Sequence, residues 1–137
     1  MRHYPPPIRD RKIRFALVGC GRIARNHINA MREHAARCEL AGVCDIDPHA
    51  REEAAGITGA RPYASLDRML AELDADAFVL ATPSGLHPGQ AIRIAAAGRH
   101  VITEKPMATR WEDGKRMVAA ADEAGVRLFV VKQNRRN

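Results

Sequence analysis

Short apolar runs alternate with longer stretches of helical spacing along this chain. Ile13–Val18 is the first apolar run, and the spacing behind it predicts a helix from about Arg22 to Arg37. Glu39-Leu40-Ala41-Gly42-Val43-Cys44 reads as a second strand with Asp45 at its end. Pro48 opens a helix to about Ala55, closed by Gly56 and Gly59. Arg61-Pro62-Tyr63 reads as a short third strand, and Ser65 caps a helix running to about Leu73. Ala77-Phe78-Val79-Leu80-Ala81 is nearly all apolar, the pattern of a parallel strand covered on both faces. Pro88 to Ala97 reads as a helix stopped by Gly98, and His100-Val101-Ile102-Thr103 as a fifth strand. Thr109-Arg110-Trp111-Glu112 has capping-box spacing and opens a helix stopped by Gly125. Arg127–Val131 is the sixth strand. Six strands with helical crossovers predict a doubly wound α/β domain with a parallel sheet in the order 3-2-1-4-5-6.

The junction of the first strand and helix carries candidate chemistry. Val18-Gly19-Cys20-Gly21-Arg22-Ile23-Ala24 is an apolar strand end followed at once by G-x-G-x-x-A, the turn that receives a dinucleotide pyrophosphate in a Rossmann sheet. Gly19 permits a sharp reversal, Gly21 lets phosphate approach the main chain, and Ala24 lets the helix lie close on the strand. Free N–H groups and the positive end of the helix dipole then face the anion, which also offsets Arg22 in that turn. A tight strand–helix turn without a ligand is the alternative. Asp45 lies 21 residues past Ala24, close to the spacing of about 20 expected for a carboxylate on the cofactor ribose. A carboxylate there repels the 2′-phosphate of NADP, and no Arg or Lys follows before Arg51, so NAD is the expected cofactor. Asp47 before Pro48 is assigned to N-capping.

Charge changes the picture little. The formal net charge is +6, but residues 1–14 carry +4 and residues 132–137 carry +3, leaving the body at −1. With few aromatic residues to stack on bases, nucleic acid is not an expected partner. No run approaches the roughly 20 apolar residues of a membrane span, and the N-terminus has no apolar signal-peptide core. Cys20, Cys38 and Cys44 form no C-x-x-C pair, which points to free thiols in a reducing cytoplasm and to no metal site. The expected organisation is a basic, proline-rich, poorly ordered lead-in over 1–12, a dinucleotide-binding domain over 13–132, and the start of a connection to a second domain over 133–137.

Two later turns hold polar residues at strand ends, where ligands of such sheets bind. After the fourth strand, Thr82 and Ser84 supply hydroxyls beside the nicotinamide half of the cofactor, and His87 is either an N-cap or a contact to the nicotinamide ribose. After the fifth strand comes Glu104-Lys105-Pro106. Charges ending a buried strand need a reason. Either Glu104 and Lys105 pair with each other, or Lys105 stands beside the reacting carbon, binds the substrate hydroxyl and helps move its proton. Pro106 allows a cis peptide that aims Lys105 inward.

Together these motifs resemble the Gfo/Idh/MocA oxidoreductases, NAD(P)-dependent sugar dehydrogenases. The match rests on the glycine loop, Cys44-Asp45-Ile46-Asp47-Pro48, Thr82-Pro83-Ser84-x-x-His87 and Glu104-Lys105-Pro106, and it spans 13–137. Ile23-Ala24-Arg25-Asn26-His27, Ser84-Gly85-Leu86-His87-Pro88 and Val131-Lys132-Gln133-Asn134-Arg135 are similar to the WlbA-type branch, the UDP-N-acetylglucosaminuronate 3-dehydrogenases of bacterial surface-polysaccharide synthesis. The resemblance implies oxidation of the 3-hydroxyl of a UDP-sugar acid, with NADH recycled by 2-oxoglutarate in some members. It implies that Gly19, Gly21, Arg22 and Ile23 bind pyrophosphate and that Asp45 binds the adenosine ribose. Thr82, Ser84 and His87 then line the nicotinamide side, Glu104 and Lys105 face the nicotinamide ribose and substrate, and Gln133 reaches the cofactor. Lys105 is the implied catalytic residue, working with an Asp and a His of a second α+β domain that also carries most of the sugar site and a tetramer interface. Without that domain, this chain alone is expected to be inactive. Another sugar, inositol or biliverdin-like dehydrogenase of the family and a stand-alone NAD-binding module are the competing readings.

Overall fold

The computed structural model describes residues 4–132. Six strands, β1 (Ile13–Val18), β2 (Cys38–Cys44), β3 (Arg61–Tyr63), β4 (Ala77–Leu80), β5 (His100–Thr103) and β6 (Leu128–Val130), form one sheet in the order β3-β2-β1-β4-β5-β6. Every neighbouring pair is parallel, so each connection crosses over. The crossovers are the helices α1 (Ala24–Glu33), α2 (Pro48–Thr58), α3 (Leu66–Glu72), α4 (His87–Ala96) and α5 (Trp111–Ala124).

Strand alternation sorts the core into two layers. On one face Ala16, Val18, Phe78, Leu80 and Val101 pack under Met69 of α3, Ile94 of α4 and Met117 of α5. On the other, Leu17, Val43 and Val79 pack under Ala24 and Ile28 of α1 and Ala54 of α2. This second face is covered over β1 and β2. Toward β6 that cover thins: Ile102 of β5 meets only the edge of α1 and is half-buried, and Phe129 of β6 is 48% exposed. Part of the lead-in leans there instead. Pro5, Pro6, Pro7 and Ile8 line a hollow with Ile102 and Phe129, and the Tyr4 ring lies 4.4 Å from the Arg127 guanidinium.

Several helix ends depart from the sequence reading. α1 begins at Ala24 and stops at Glu33, because residues 34–37 form turns rather than a fourth helical turn. α2 runs through Gly56, beside which a side chain would meet open space, and ends at Gly59 in the left-handed region (φ +74). The Thr109–Glu112 capping box does not form. Arg110 is the N-cap of α5, so Thr109 lies outside the register that reaches the third helical N–H, and Glu112 and Asp113 instead face the positive end of the helix. Asp47 does cap α2, accepting from His49 N at 3.0 Å with Pro48 in the first turn.

Asp76 ties the amino end of the sheet together. Its carboxylate accepts two bonds of 2.8 Å from the Arg11 guanidinium and one of 2.8 Å from Arg14 N. The Arg11 hydrogen bonds hold the Asp76 carboxyl below its ordinary range, against the opposing effect of its burial. A carboxyl depressed in the folded state stabilises the fold above its unfolded value, about pH 3.9, and that stability is lost as pH falls through the folded value. Asp76→Asn is therefore expected to lower stability at pH 7, by no more than about 1 kcal/mol because Arg11 is solvent-exposed. Urea melts should show the gap between variant and parent closing as the pH falls below about 4.

Candidate functional site

Strands β1, β2 and β4 end side by side, and their turns enclose a cleft of about 590 Å³ lined by Gly19, Gly21, Asp45, Thr82, Leu86 and Gln90 among others. Gly19 makes the closest approach. It has φ +95, its N–H donates to Cys44 O at 2.8 Å, and an added Cβ would lie 2.7 Å from both Ala81 C and Ala81 O. Gly21 is the reverse case. An added Cβ there would meet nothing within 4 Å, so open space stands before the main chain. Arg22 and Ile23 are exposed and precede α1, rather than occupying its first turn. The reason is a tight entry in which Ala24 N and Asn26 N donate to Gly21 O and Ile23 O, each at 3.2 Å. Among the described residues, no partner is found for the N–H groups of Gly21, Arg22 and Ile23, no side chain caps α1, and no acid lies in its first turn. Such an end is built to receive an anion.

Asp45 holds the loop from below. Its carboxylate accepts from Cys20 N at 2.8 Å and from Asp47 N at 2.9 Å, and its main-chain carbonyl accepts from Arg51 Nη1 at 2.9 Å. Each carboxylate oxygen keeps a lone pair for a hydroxyl donor. Burial, then the Asp45 charge, push the Cys20 thiol up to about 12, and the same two causes push Cys44 to about 11. Both sulfurs are therefore neutral thiols at physiological pH. Iodoacetamide at pH 7.5 is expected to leave Cys20 and Cys44 unmodified in the folded protein, and peptide mass spectrometry checks this.

At the end of β4, Thr82 Oγ1 donates to Gln90 Oε1 at 2.6 Å, and both residues line the cleft. Ser84 opens a 3-10 turn, Ser84–Leu86, that leads into α4. His87 departs from both of its sequence readings. It caps nothing, since α4 begins with it, and it is 1% exposed. Its Nε2 lies 2.8 Å from Thr82 O and its Nδ1 3.1 Å from Pro106 O, so the ring bridges two turns inside the domain instead of facing the cleft. A neutral imidazole carries one N–H and donates to one of these carbonyls at a time.

At the end of β5 the Lys105-Pro106 peptide is cis. Of the two readings of this turn, the mutual Glu104–Lys105 pair is not found among the described residues. Glu104 is 8% exposed and lies 2.6 Å through Oε1 from Nε2 of His27 on α1. Lys105 is exposed and has no ion pair among the described residues. Gln133 lies outside the described residues.

Sequence reading missed His27, Gln90 and Arg93. Gln90 and Arg93 line the cleft three residues apart on α4, and that helical spacing of polar positions was the available signal. His27 stands in the Ile23–His27 motif, but nothing local marks its partner, which is 77 residues away. Among the described residues no group of His, Cys, Asp and Glu can hold a metal ion, and no helix is long and apolar enough to cross a membrane.

The residues present fit a dinucleotide: free N–H groups, open space beside the Gly21 main chain, and a carboxylate with spare acceptors one strand away. That defines the class as a nucleotide-binding α/β domain. Residues 13–132 match the Gfo/Idh/MocA model, the oxidoreductase family with an NAD-binding Rossmann fold, and the chain belongs to that family. The chain is 34% identical over 125 residues to the inositol 2-dehydrogenase of Mycolicibacterium smegmatis, covering 90% of itself and 36% of that protein. It is 70% identical, with a TM-score of 0.94, to the WlbA dehydrogenase from Bordetella pertussis, whose crystal structure holds NADH and UDP-GlcNAcA. The alignment covers 96% of this chain and 38% of that one. The WlbA dehydrogenase from Chromobacterium violaceum, also in complex with NADH and UDP-GlcNAcA, is 67% identical with a TM-score of 0.96, over 97% and 39% of the two chains. The chain thus spans little more than a third of these relatives.

Proposed function

We propose that this chain is the cofactor half of an NAD-dependent dehydrogenase that oxidises the 3-hydroxyl of UDP-N-acetylglucosaminuronic acid for surface-polysaccharide synthesis. The observation that carries this reading is the 70% identity to a dehydrogenase seen with NADH and UDP-GlcNAcA, which extends over nearly the whole chain. In the proposed mechanism the N–H groups of Gly21, Arg22 and Ile23 hold the pyrophosphate, Asp45 the adenosine ribose, and Thr82 and Ser84 the nicotinamide side. NAD bound there supplies an acceptor for the hydride leaving C3 of the sugar. Lys105 orients the 3-hydroxyl and takes its proton as the C3 carbonyl forms, and Glu104 borders the nicotinamide ribose. Gln133 reaches the cofactor. An Asp and a His of a second domain complete the site, and that domain carries the homotetramer interface. The free thiols of Cys20, Cys38 and Cys44 support a cytoplasmic enzyme.

Inositol 2-dehydrogenases at 32–34% identity support a second reading, a polyol substrate. The two readings separate in a turnover screen on the protein carrying this domain together with its substrate domain. UDP-N-acetylglucosaminuronate should reduce NAD, and myo-inositol should not. Activity on the polyol alone would overturn the proposal. The 137-residue chain by itself should bind NADH, read as enhanced nicotinamide fluorescence, yet turn over neither substrate.

A further inference from the structure

Glu104 has one nitrogen-bearing neighbour next to it in the chain and another on α1, and the structure shows which one it takes. Adjacent side chains of opposite charge do meet elsewhere in this protein, as Arg51 Nε and Glu52 Oε1 do at 3.8 Å. Glu104 and Lys105 do not. Strand alternation puts Glu104 on the face of Ile102, the face that α1 covers. There His27, held over Val79 and Ile102 by the packing of its helix neighbours Ala24 and Ile28, engages Oε1 at 2.6 Å. The two side chains are 16% and 11% exposed, so the contact is shielded from water. Lys105 is left exposed at the mouth of β5, with no counter-ion among the described residues.

We propose that His27 is a positioning residue that keeps the Glu104 carboxylate from closing onto Lys105, so that the Lys105 amine stays free for a substrate hydroxyl. The last clause rests on the role given to Lys105 under the proposed function. The charge arrangement itself does not. Without the His27 N–H, the Glu104 carboxylate loses its donor in a water-poor setting, and the next residue along the chain carries a cation. An ion pair there favours the ammonium form and slows attack by the amine.

The test uses this chain alone and trace acetylation of its lysines with acetic anhydride at neutral pH, with Lys12 as internal reference. In His27→Ala, Lys105 should label about two- to fivefold more slowly relative to Lys12, the range of a single surface ion pair. His27→Gln, which still offers an N–H to Glu104, should label like the parent. The double variant His27→Ala, Glu104→Gln should recover the parent rate. An unchanged Lys105 ratio in His27→Ala overturns the proposal. A second measurement stands if that variant does not fold. Glu104→Gln alone should leave Lys105 labelling unaltered, and an acceleration there would show that the carboxylate already pairs with Lys105 in solution. Labelling needs neither cofactor nor turnover, so its failure leaves the dehydrogenase reading intact. Failure of that reading would likewise leave this charge arrangement standing.

Discussion

Alanine at Gly19 is expected to unfold this domain near physiological temperature, while alanine at Gly21, two residues on, should leave the fold intact and weaken dinucleotide binding. The difference lies in what each new methyl meets. At Gly19 it would lie 2.7 Å from the carbonyl carbon and oxygen of Ala81 and 2.9 Å from Thr82 N. These are backbone atoms of the β4 end, pinned by Ala81 N donating to Val18 O at 2.8 Å, so no side chain can swing away. The residue also sits at φ +95, which an L side chain rarely adopts. Overpacking a core costs about 1–3 kcal/mol and a disfavoured backbone region adds roughly 1–3 more. A loss of that size removes much of the roughly 5–15 kcal/mol that holds a domain together and lowers the melting temperature by on the order of 10 °C. At Gly21 nothing lies within 4 Å, so the methyl costs the apo fold nothing. Under the proposed assignment it would stand where the phosphates approach the main chain. NADH affinity should fall at least about tenfold, about 1.4 kcal/mol, with an unaltered melting temperature. Thermal melts and fluorescence titrations of both variants decide the matter. A Gly21→Ala protein that binds NADH like the parent would remove the phosphate from this loop.

The sheet was legible from the chain because each strand is marked twice, by its apolar run and by the turn chemistry beside it. Ala77–Leu80, buried throughout, is the plainest case. Right-handed crossovers then left the order 3-2-1-4-5-6 as the natural arrangement, and the structure has it. Local signals failed where a neighbour elsewhere in the fold decides. Gly56 looks like a helix stop, yet α2 passes through it because the backbone reversal is supplied at Gly59. His87 sits beside a proline at a helix start and reads as a cap or as a contact to the nicotinamide ribose. It turns inward because two carbonyls, one of them 19 residues further on, await its ring. Glu104 and Lys105 look like partners by adjacency, but alternation sends the carboxylate to α1 and to His27. The candidate site was therefore readable as a set of turns, and unreadable as a set of side-chain partnerships, since periodicity carries no information on contacts that cross the sheet.

Asp45→Ala should weaken NADH binding by about ten- to a hundredfold and narrow the preference for NADH over NADPH. Under the proposed assignment the carboxylate accepts from the ribose hydroxyls, and hydrogen bonds to a charged group are worth about 1.5–3 kcal/mol each. NADPH carries a phosphate in place of one hydroxyl, so the same carboxylate repels it, and its removal relieves that repulsion. The two affinities should therefore converge rather than fall together. The loop would also loosen, because Cys20 N and Asp47 N both donate to this side chain, at 2.8 and 2.9 Å. Leaving the half-buried Cys20 N–H without an acceptor costs about 1–2 kcal/mol. Asparagine offers no clean escape. Its amide has one oxygen for two N–H groups, so in either orientation its NH₂ faces a donor. Asp45→Asn should thus show part of the stability loss and most of the change in cofactor preference. Paired titrations with NADH and NADPH, run beside thermal melts, separate the two effects. If the NADH to NADPH affinity ratio stays at the parent value in both variants, Asp45 serves only to brace the glycine loop, and the choice of cofactor lies with other residues of the cleft.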